Sequence, residues 1–148
     1  MNLVKEEVYN MCDVQDLLKS KGVKPTPVRV MIYEVMKGYE NTFSLTDLEN
    51  NLLDVDKSTI FRTICVFLEK HLIHSIEDGS GSMKYCMCHN HGECSVEQFH
   101  CHFYCESCKR TFCLDSLPVP QVQFPEGFLP SQINYVAKGV CPECAKKF

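Results

Sequence analysis

Through the first half of the chain, apolar residues recur at the three-and-four spacing of a single helix face. Val4, Val8, Met11, Val14, Leu17 and Leu18 form the first such stripe, which stops at Gly22. Pro25-Thr-Pro27 then opens a second helix, with Thr26 as cap and Pro27 in the first turn, where its missing N–H costs nothing. Its apolar face reads Val28, Met31, Ile32, Val35 and Met36, closed by Gly38. Ser44-Leu-Thr-Asp47 has the capping-box pattern and predicts a third helix carrying Leu45, Leu48, Leu52 and Leu53. Asp56 or Ser58 caps a fourth, with Ile60, Ile64, Phe67 and Leu68 expected inside. The period then changes. Leu72–Glu77 and Met83–Cys88 read as short strands joined by the loop Asp78-Gly-Ser-Gly-Ser82.

Helices followed by a β-hairpin is the order of a winged helix, with helices three and four as the helix-turn-helix and the hairpin as wing. Beyond it the pattern is looser. Gln98–Tyr104, Lys109–Leu114 and Gln132–Ala137 read as strands, with weak helical propensity between Asp115 and Phe128, broken by Pro118, Pro120 and Pro125. The expected fold class is α+β: a winged helix-turn-helix over residues 1–88, then a small α/β domain over 89–148.

Cysteine usage sharpens that division. Of eleven cysteines only Cys12 and Cys65 precede residue 86, and both fall on helical apolar positions as small core residues. Cys105-Glu-Ser-Cys108 is answered by Cys141-Pro-Glu-Cys144. Two such knuckles supply four thiolates, the donor set of a closed, structural zinc site. His100-Cys-His102 lies just upstream, and side chains two apart on a strand share a face, so the two imidazoles form half of a second site. Cys101 points the other way, Cys113 packs on a strand, and His71 is a solvated turn residue. Cys86, His89 and His91, each taken singly, read as members of a polar exposed loop.

No run of eighteen apolar residues is present, and acidic Glu6 and Glu7 stand where a signal peptide needs an apolar stretch. The expectation is a cytoplasmic protein with no membrane partner, in which reduced cysteines serve as metal ligands. A net charge of −4 argues against a general polyanion binder. A local basic face remains open. The start of the fourth helix offers Lys57, Ser58, Thr59, Phe61 and Arg62, where a helix-turn-helix meets the major groove. Arg62 suits guanine or phosphate, and Thr59 and Phe61 suit a thymine methyl. From the pattern alone, a helix that only packs explains these residues equally well.

Taken together, the motifs resemble those of the ferric-uptake-regulator family of metal-dependent repressors. The resemblance rests on Gly22-Val-Lys24-Pro-Thr26-Pro-Val-Arg29, on Ser58-Thr-Ile-Phe-Arg62-Thr, and on Gly79 and Tyr85 of the wing. His100-x-His102-x-x-Cys105-x-x-Cys108 and Gly139-Val-Cys141-x-x-Cys144 complete it. It implies a homodimer that binds operator DNA through its winged helices, with phosphate contacts from Lys24, Arg29 and Lys57. It also implies a structural zinc on Cys105, Cys108, Cys141 and Cys144. Phe61 stands where the family usually has tyrosine, which removes one hydroxyl from the DNA face.

The resemblance further implies a sensing site at the hinge between the domains. His74 and Tyr85-x-x-Cys88 look like the zinc-sensing branch, so the expected ligands are His74, Cys88, His100 and His102, with Cys94 or Glu93 as alternatives. The iron-sensing branch usually has a histidine before the third helix, where this chain has Asn41-Thr42. One thiolate and three imidazoles suit Zn²⁺. Zinc is therefore the expected cofactor at both sites. The expected function is a zinc-responsive repressor, with an iron- or peroxide-responsive regulator, or a zinc-ribbon interaction module without DNA binding, as the alternatives. No Ser-His-Asp spacing, phosphate-binding loop or His-Glu-x-x-His motif points to an enzyme or a small-molecule substrate.

Overall fold

The structure, a computed structural model, describes residues 13–87, 100–130 and 133–147. Helix α1, described over 13–20, buries Val14 and Leu18 and turns off at Gly22, whose φ of +75° is a left-handed conformation that suits glycine. The start of its expected stripe, with Cys12, lies outside the described residues. Helix α2 spans Pro27–Lys37. Thr26 caps it by accepting the Arg29 N–H at 3.3 Å, and Gly38 closes it. Helix α3 spans Leu45–Asn51 behind the expected capping box: the Asp47 N–H donates to Ser44, and the Ser44 N–H donates to Asp47. Helix α4 spans Lys57–Glu69, with Asp56 at its N-cap.

Several apolar residues sit differently from the expectation. Helix α2 buries Val30, Ile32, Tyr33 and Met36, whereas Met31 is exposed and Val28 and Val35 are half-buried. The core face is thus rotated toward Tyr33, whose ring meets Phe67 edge-on at 5.9 Å. Leu53 lies beyond the end of α3 and is 85% exposed. On α4 the inward stripe is Ile60, Thr63, Ile64 and Phe67; Leu68 is half-buried and Cys65 falls on the outer face, exposed. Cys65 is therefore not a core residue. His71 is an exposed turn residue with positive φ, as expected.

Strands β2 (Ile73–Ile76) and β3 (Lys84–Met87) form the wing hairpin. A two-residue strand β1 (Phe43–Ser44), which no pattern in the sequence announces, adds to the other edge of β3 and gives the order β1-β3-β2. The register pairs Phe43 with Tyr85 and His74 with Cys86. Helices and hairpin share one core, from Val14 through Phe67 to Met87. This is the winged-helix arrangement.

The second sheet has the order β5-β4-β6, with β4 His100–Cys105, β5 Thr111–Pro118 and β6 Val136–Gly139. β4 is antiparallel to β5 and parallel to β6. β5 runs on to Pro118, past the expected end at Leu114, and residues 119–128 contain no helix. Prolines at 118, 120 and 125 withhold the N–H groups that a helix there would need. A four-residue helix α5, Pro142–Ala145, follows β6. The small core here is the cysteine cluster itself, packed against Phe103 and Phe112. The expected boundary at residues 88 and 89 lies outside the described residues.

The two sheets meet across the hairpin loop. Asp78, 1% exposed, accepts a 2.6 Å hydrogen bond from the Thr111 hydroxyl of β5, and the Thr42 hydroxyl donates to the Thr111 carbonyl at 2.9 Å. The Cys113 N–H donates to the Asn41 side chain at 3.2 Å. Gly79, with φ +81°, sits where a Cβ would collide with the Lys138 side chain of β6.

Candidate metal centre

The two knuckles come together as their spacing implies. Cys105 ends β4 and Cys108 closes the turn after it; Cys141 is the N-cap of α5 and Cys144 lies within that helix. Pairing of Cys105 with Gly139 across β4 and β6 brings the second knuckle alongside the first. The four sulfurs lie within 4.8 Å of one another, and those of Cys108 and Cys141 are 3.9 Å apart. Zinc–sulfur bonds of about 2.3 Å set sulfurs about 3.8 Å apart in a tetrahedron, so the clustered donor set suits Zn²⁺.

The surroundings favour the thiolate form of Cys105 and Cys108. The N–H groups of Cys108 and Cys141 donate to the Cys105 sulfur at 3.5 and 3.3 Å, and these bonds hold its thiol down at about 6 against the opposing effect of burial. Arg110 donates to the Cys108 sulfur at 3.4 Å, which lowers that thiol too, and its other end pairs with Glu143 at 2.6 Å. Such charge-assisted donors offset the negative charge that four thiolates bring to one ion.

A second cluster lies where the sheets face each other. One donor atom each from His74, Cys86 and His102 falls within 4.8 Å of the others. His74 and Cys86 are directly opposed across β2 and β3, and His102 and Cys113 are directly opposed across β4 and β5. Opposed residues of an antiparallel pair project from the same face. Each sheet therefore presents one histidine and one cysteine side by side, and the two pairs meet: the Cys86 and Cys113 sulfurs are 3.6 Å apart and the His74 and His102 rings 5.7 Å between centroids. Cys86 is fully buried and His102 5% exposed. The one thiolate and two imidazoles that converge here are a borderline-soft donor set suited to zinc, with the Cys113 sulfur beside them.

Set against the expected ligands, His74 and His102 are brought together. Cys88, Glu93 and Cys94 lie outside the described residues, as do His89, His91 and the His100 side chain. Cys86 is a correction. It belongs to β3 and is fully buried, not a member of an exposed loop: Tyr85 and Met87 on either side of it enter the helical core, while its own sulfur meets Cys113 of the second sheet. Cys113 does pack on a strand, but beside the cluster. The usable signal for both was register: each cysteine stands opposite a histidine already in view. Cys101 joins neither cluster among the described residues.

The residues expected at a DNA interface are also placed. Lys57, Ser58, Phe61 and Arg62 are exposed at the start of α4, with Thr59 half-buried. Arg62 donates within the helix to the Ser58 carbonyl at 3.3 Å and the Thr59 hydroxyl at 3.4 Å, and Lys57 lies 3.8 Å from Glu49. Lys24 is exposed, and its carbonyl accepts from the half-buried Arg29 at 3.2 Å. No helix is long and apolar enough to cross a membrane among the described residues.

Solved structures share this architecture. The Vibrio cholerae ferric uptake regulator superposes with a TM-score of 0.60 at 18% identity, covering 86% of this chain and 98% of that one. A zinc uptake regulator solved with zinc and DNA gives 0.66 at 18% identity over 93% of each chain. The Helicobacter pylori ferric uptake regulator, described with three functional metal-binding sites, gives 0.60 at 13% identity over 93% and 92%. At such identities the likeness speaks to the fold alone. No curated protein matches the chain in sequence. The model of the ferric uptake regulator family matches residues 20–124, well over half of the length. The chain therefore belongs to the ferric uptake regulator family, whose members are transcription regulators and not enzymes.

Proposed function

We propose that the protein is a zinc-responsive repressor that binds operator DNA as a homodimer through the exposed start of α4. The observation that carries the metal assignment is the meeting of two histidine–cysteine pairs, one from each sheet. Zinc is favoured over iron by the donors: the cluster offers sulfur and imidazole, and the residue before β1 is Thr42, whose hydroxyl is engaged with β5.

Cys105, Cys108, Cys141 and Cys144 would hold a structural ion that fastens α5 and β6 to β4. His74, Cys86 and His102 would hold the regulatory ion, which would supply a crosslink between the wing and the second sheet. The chain's own part is to set where α4 stands. β3 packs in the same core as α4, so the positions of Cys86 and His74 relative to β4 and β5 determine the orientation of the DNA-reading helix. In a dimer that orientation fixes the separation of two recognition helices, which must match two half-sites. A population with variable orientation binds more weakly by the fraction that is competent. Lys24, Arg29, Lys57 and Arg62 add contacts to phosphate and base edges that weaken with salt.

The test is a binding titration on operator fragments selected from random DNA, with zinc, iron(II) or manganese(II) added to chelator-treated protein that retains one zinc per chain. Zinc should restore binding at the lowest free-metal concentration. Restoration by iron or manganese at lower free concentration than zinc would overturn the metal assignment, and no selected DNA at all would overturn the repressor reading.

A further inference from the structure

We propose that Cys86 and Cys113 form a reversible disulfide when the regulatory site is free of metal, so that peroxide silences the zinc response. The two sulfurs touch at 3.6 Å although the residues lie on different sheets and 27 positions apart. Both sheets hold their cysteine in a fixed register opposite a histidine, so the pair is presented by rigid elements and not by chance loop contact.

Accessibility sets the order of events. Cys113 is half-buried and Cys86 fully buried, so Cys113 meets the oxidant first. Hydrogen peroxide oxidises the Cys113 thiol to a sulfenic acid, with one water released. The Cys86 sulfur then attacks the Cys113 sulfur; the S–O bond breaks, and hydroxide leaves with the Cys86 proton as a second water. Two thiols are oxidised to one disulfide and one peroxide is reduced to two waters. Because the Cys86 sulfur would be a zinc ligand, metal and disulfide exclude each other. The crosslink also ties the wing to β5, leaving the orientation of α4 no longer subject to metal. This consequence rests on the proposed zinc site; formation of the disulfide itself does not.

The experiment is peroxide treatment of chelator-treated protein retaining one zinc per chain, followed by alkylation and non-reducing peptide mass spectrometry. A Cys86–Cys113 linkage, loss of two alkylatable thiols per chain, and reversal by dithiothreitol are expected. Cys113→Ser should abolish the linkage, whereas Cys65→Ser, on the outer face of α4, should leave it intact. If Cys86 and Cys113 stay alkylatable, or pair with other cysteines, the inference fails. A second arm separates it from the zinc reading: saturating zinc should slow crosslinking at least tenfold. Crosslinking that proceeds equally fast with zinc present would sink the assignment of Cys86 as a zinc ligand while leaving the thiol pair established.

Discussion

Cys86 stands directly opposite His74, and its sulfur reaches 3.6 Å across to Cys113 on the other sheet. That relationship joins the two halves of the candidate regulatory site, as the facing rings of His74 and His102 also do. It also accords with the full enclosure of the residue, since β3 is the middle strand of its sheet and Cys86 is covered by the second one.

Replacing Cys86 with serine should therefore remove the regulatory zinc and leave the structural one. The loss of affinity should exceed the roughly 10–100-fold that removing an outer-shell partner costs. Metal analysis should find one zinc per chain in Cys86→Ser against two in the parent, with the oligomer intact in sedimentation. If Cys86→Ser kept two and Cys88→Ser kept one, the site would be built on Cys88.

The cysteine knuckles carry a pH dependence whose sign follows from their thiols. Without zinc, Cys105 is held down at about 6, chiefly by the Cys108 N–H. Cys144 is pushed up to about 11: the Ser107 hydroxyl lowers it, but the neighbouring Cys141, Cys105 and Cys108 thiols and burial outweigh that. At neutral pH Cys144 thus carries a proton that must leave when the ion enters. Zinc uptake should release protons, and affinity should fall as pH falls, more steeply below about 6, where Cys105 protonates as well. Competition titrations with a chelator from about pH 5 to 8 measure this. A flat profile would contradict the four-thiolate assignment.

Much of this was legible in the sequence, for physical reasons that also mark where legibility ended. Thr26, Gly38 and the Ser44–Asp47 box act locally, so the helix ends they define are recovered in place. The knuckles are local too: two residues between cysteines suffice to turn both sulfurs toward one point. Cys86 and Cys113 depend instead on strand register and on how two sheets pack, and neither is encoded within a short window. The same holds for β1, two residues long and defined only by its partner. Met31 and Tyr33 show a subtler failure, because helical spacing leaves the edge of an apolar face free to rotate by one residue until a neighbour such as Phe67 decides it.

Asp78 should act as a latch between wing and second sheet. Burial alone would raise its carboxyl, but hydrogen bonds from Ser80 and Thr111, with Lys84 3.4 Å away, outweigh that and hold it below the ordinary value. A depressed folded value means that the stabilisation is complete above the ordinary carboxylate range and is lost as pH falls through the folded pKa. Asp78→Ala should cost about 2–3 kcal/mol at neutral pH, since it removes hydrogen bonds to a buried charge. Denaturant unfolding of Asp78→Ala, Thr111→Val and the pair should show a coupling of about 1 kcal/mol or more. Strictly additive losses would mean that the two side chains act independently.

The proposed DNA face gives the last prediction, which separates DNA reading from folding. Phe61 is 51% exposed and Arg62 also lies outside, so neither contributes to the core formed by Ile60, Ile64 and Phe67. Replacing either with alanine should leave the unfolding free energy within about 0.5 kcal/mol of the parent, the usual range for such surface changes. DNA binding should respond differently to each. Arg62→Ala should cost about 1–3 kcal/mol; if its guanidinium reads a base, discrimination at one position relaxes, and if it meets phosphate, the salt slope falls by about one. Phe61→Ala removes only an apolar contact, so affinity should drop with the salt slope unchanged. Fluorescence anisotropy across a salt series, on the selected operator and on variants at single positions, measures both quantities. Unaltered binding in both variants would overturn the reading role of Phe61 and Arg62 and leave Lys57 and Ser58 as the exposed polar residues at the start of α4.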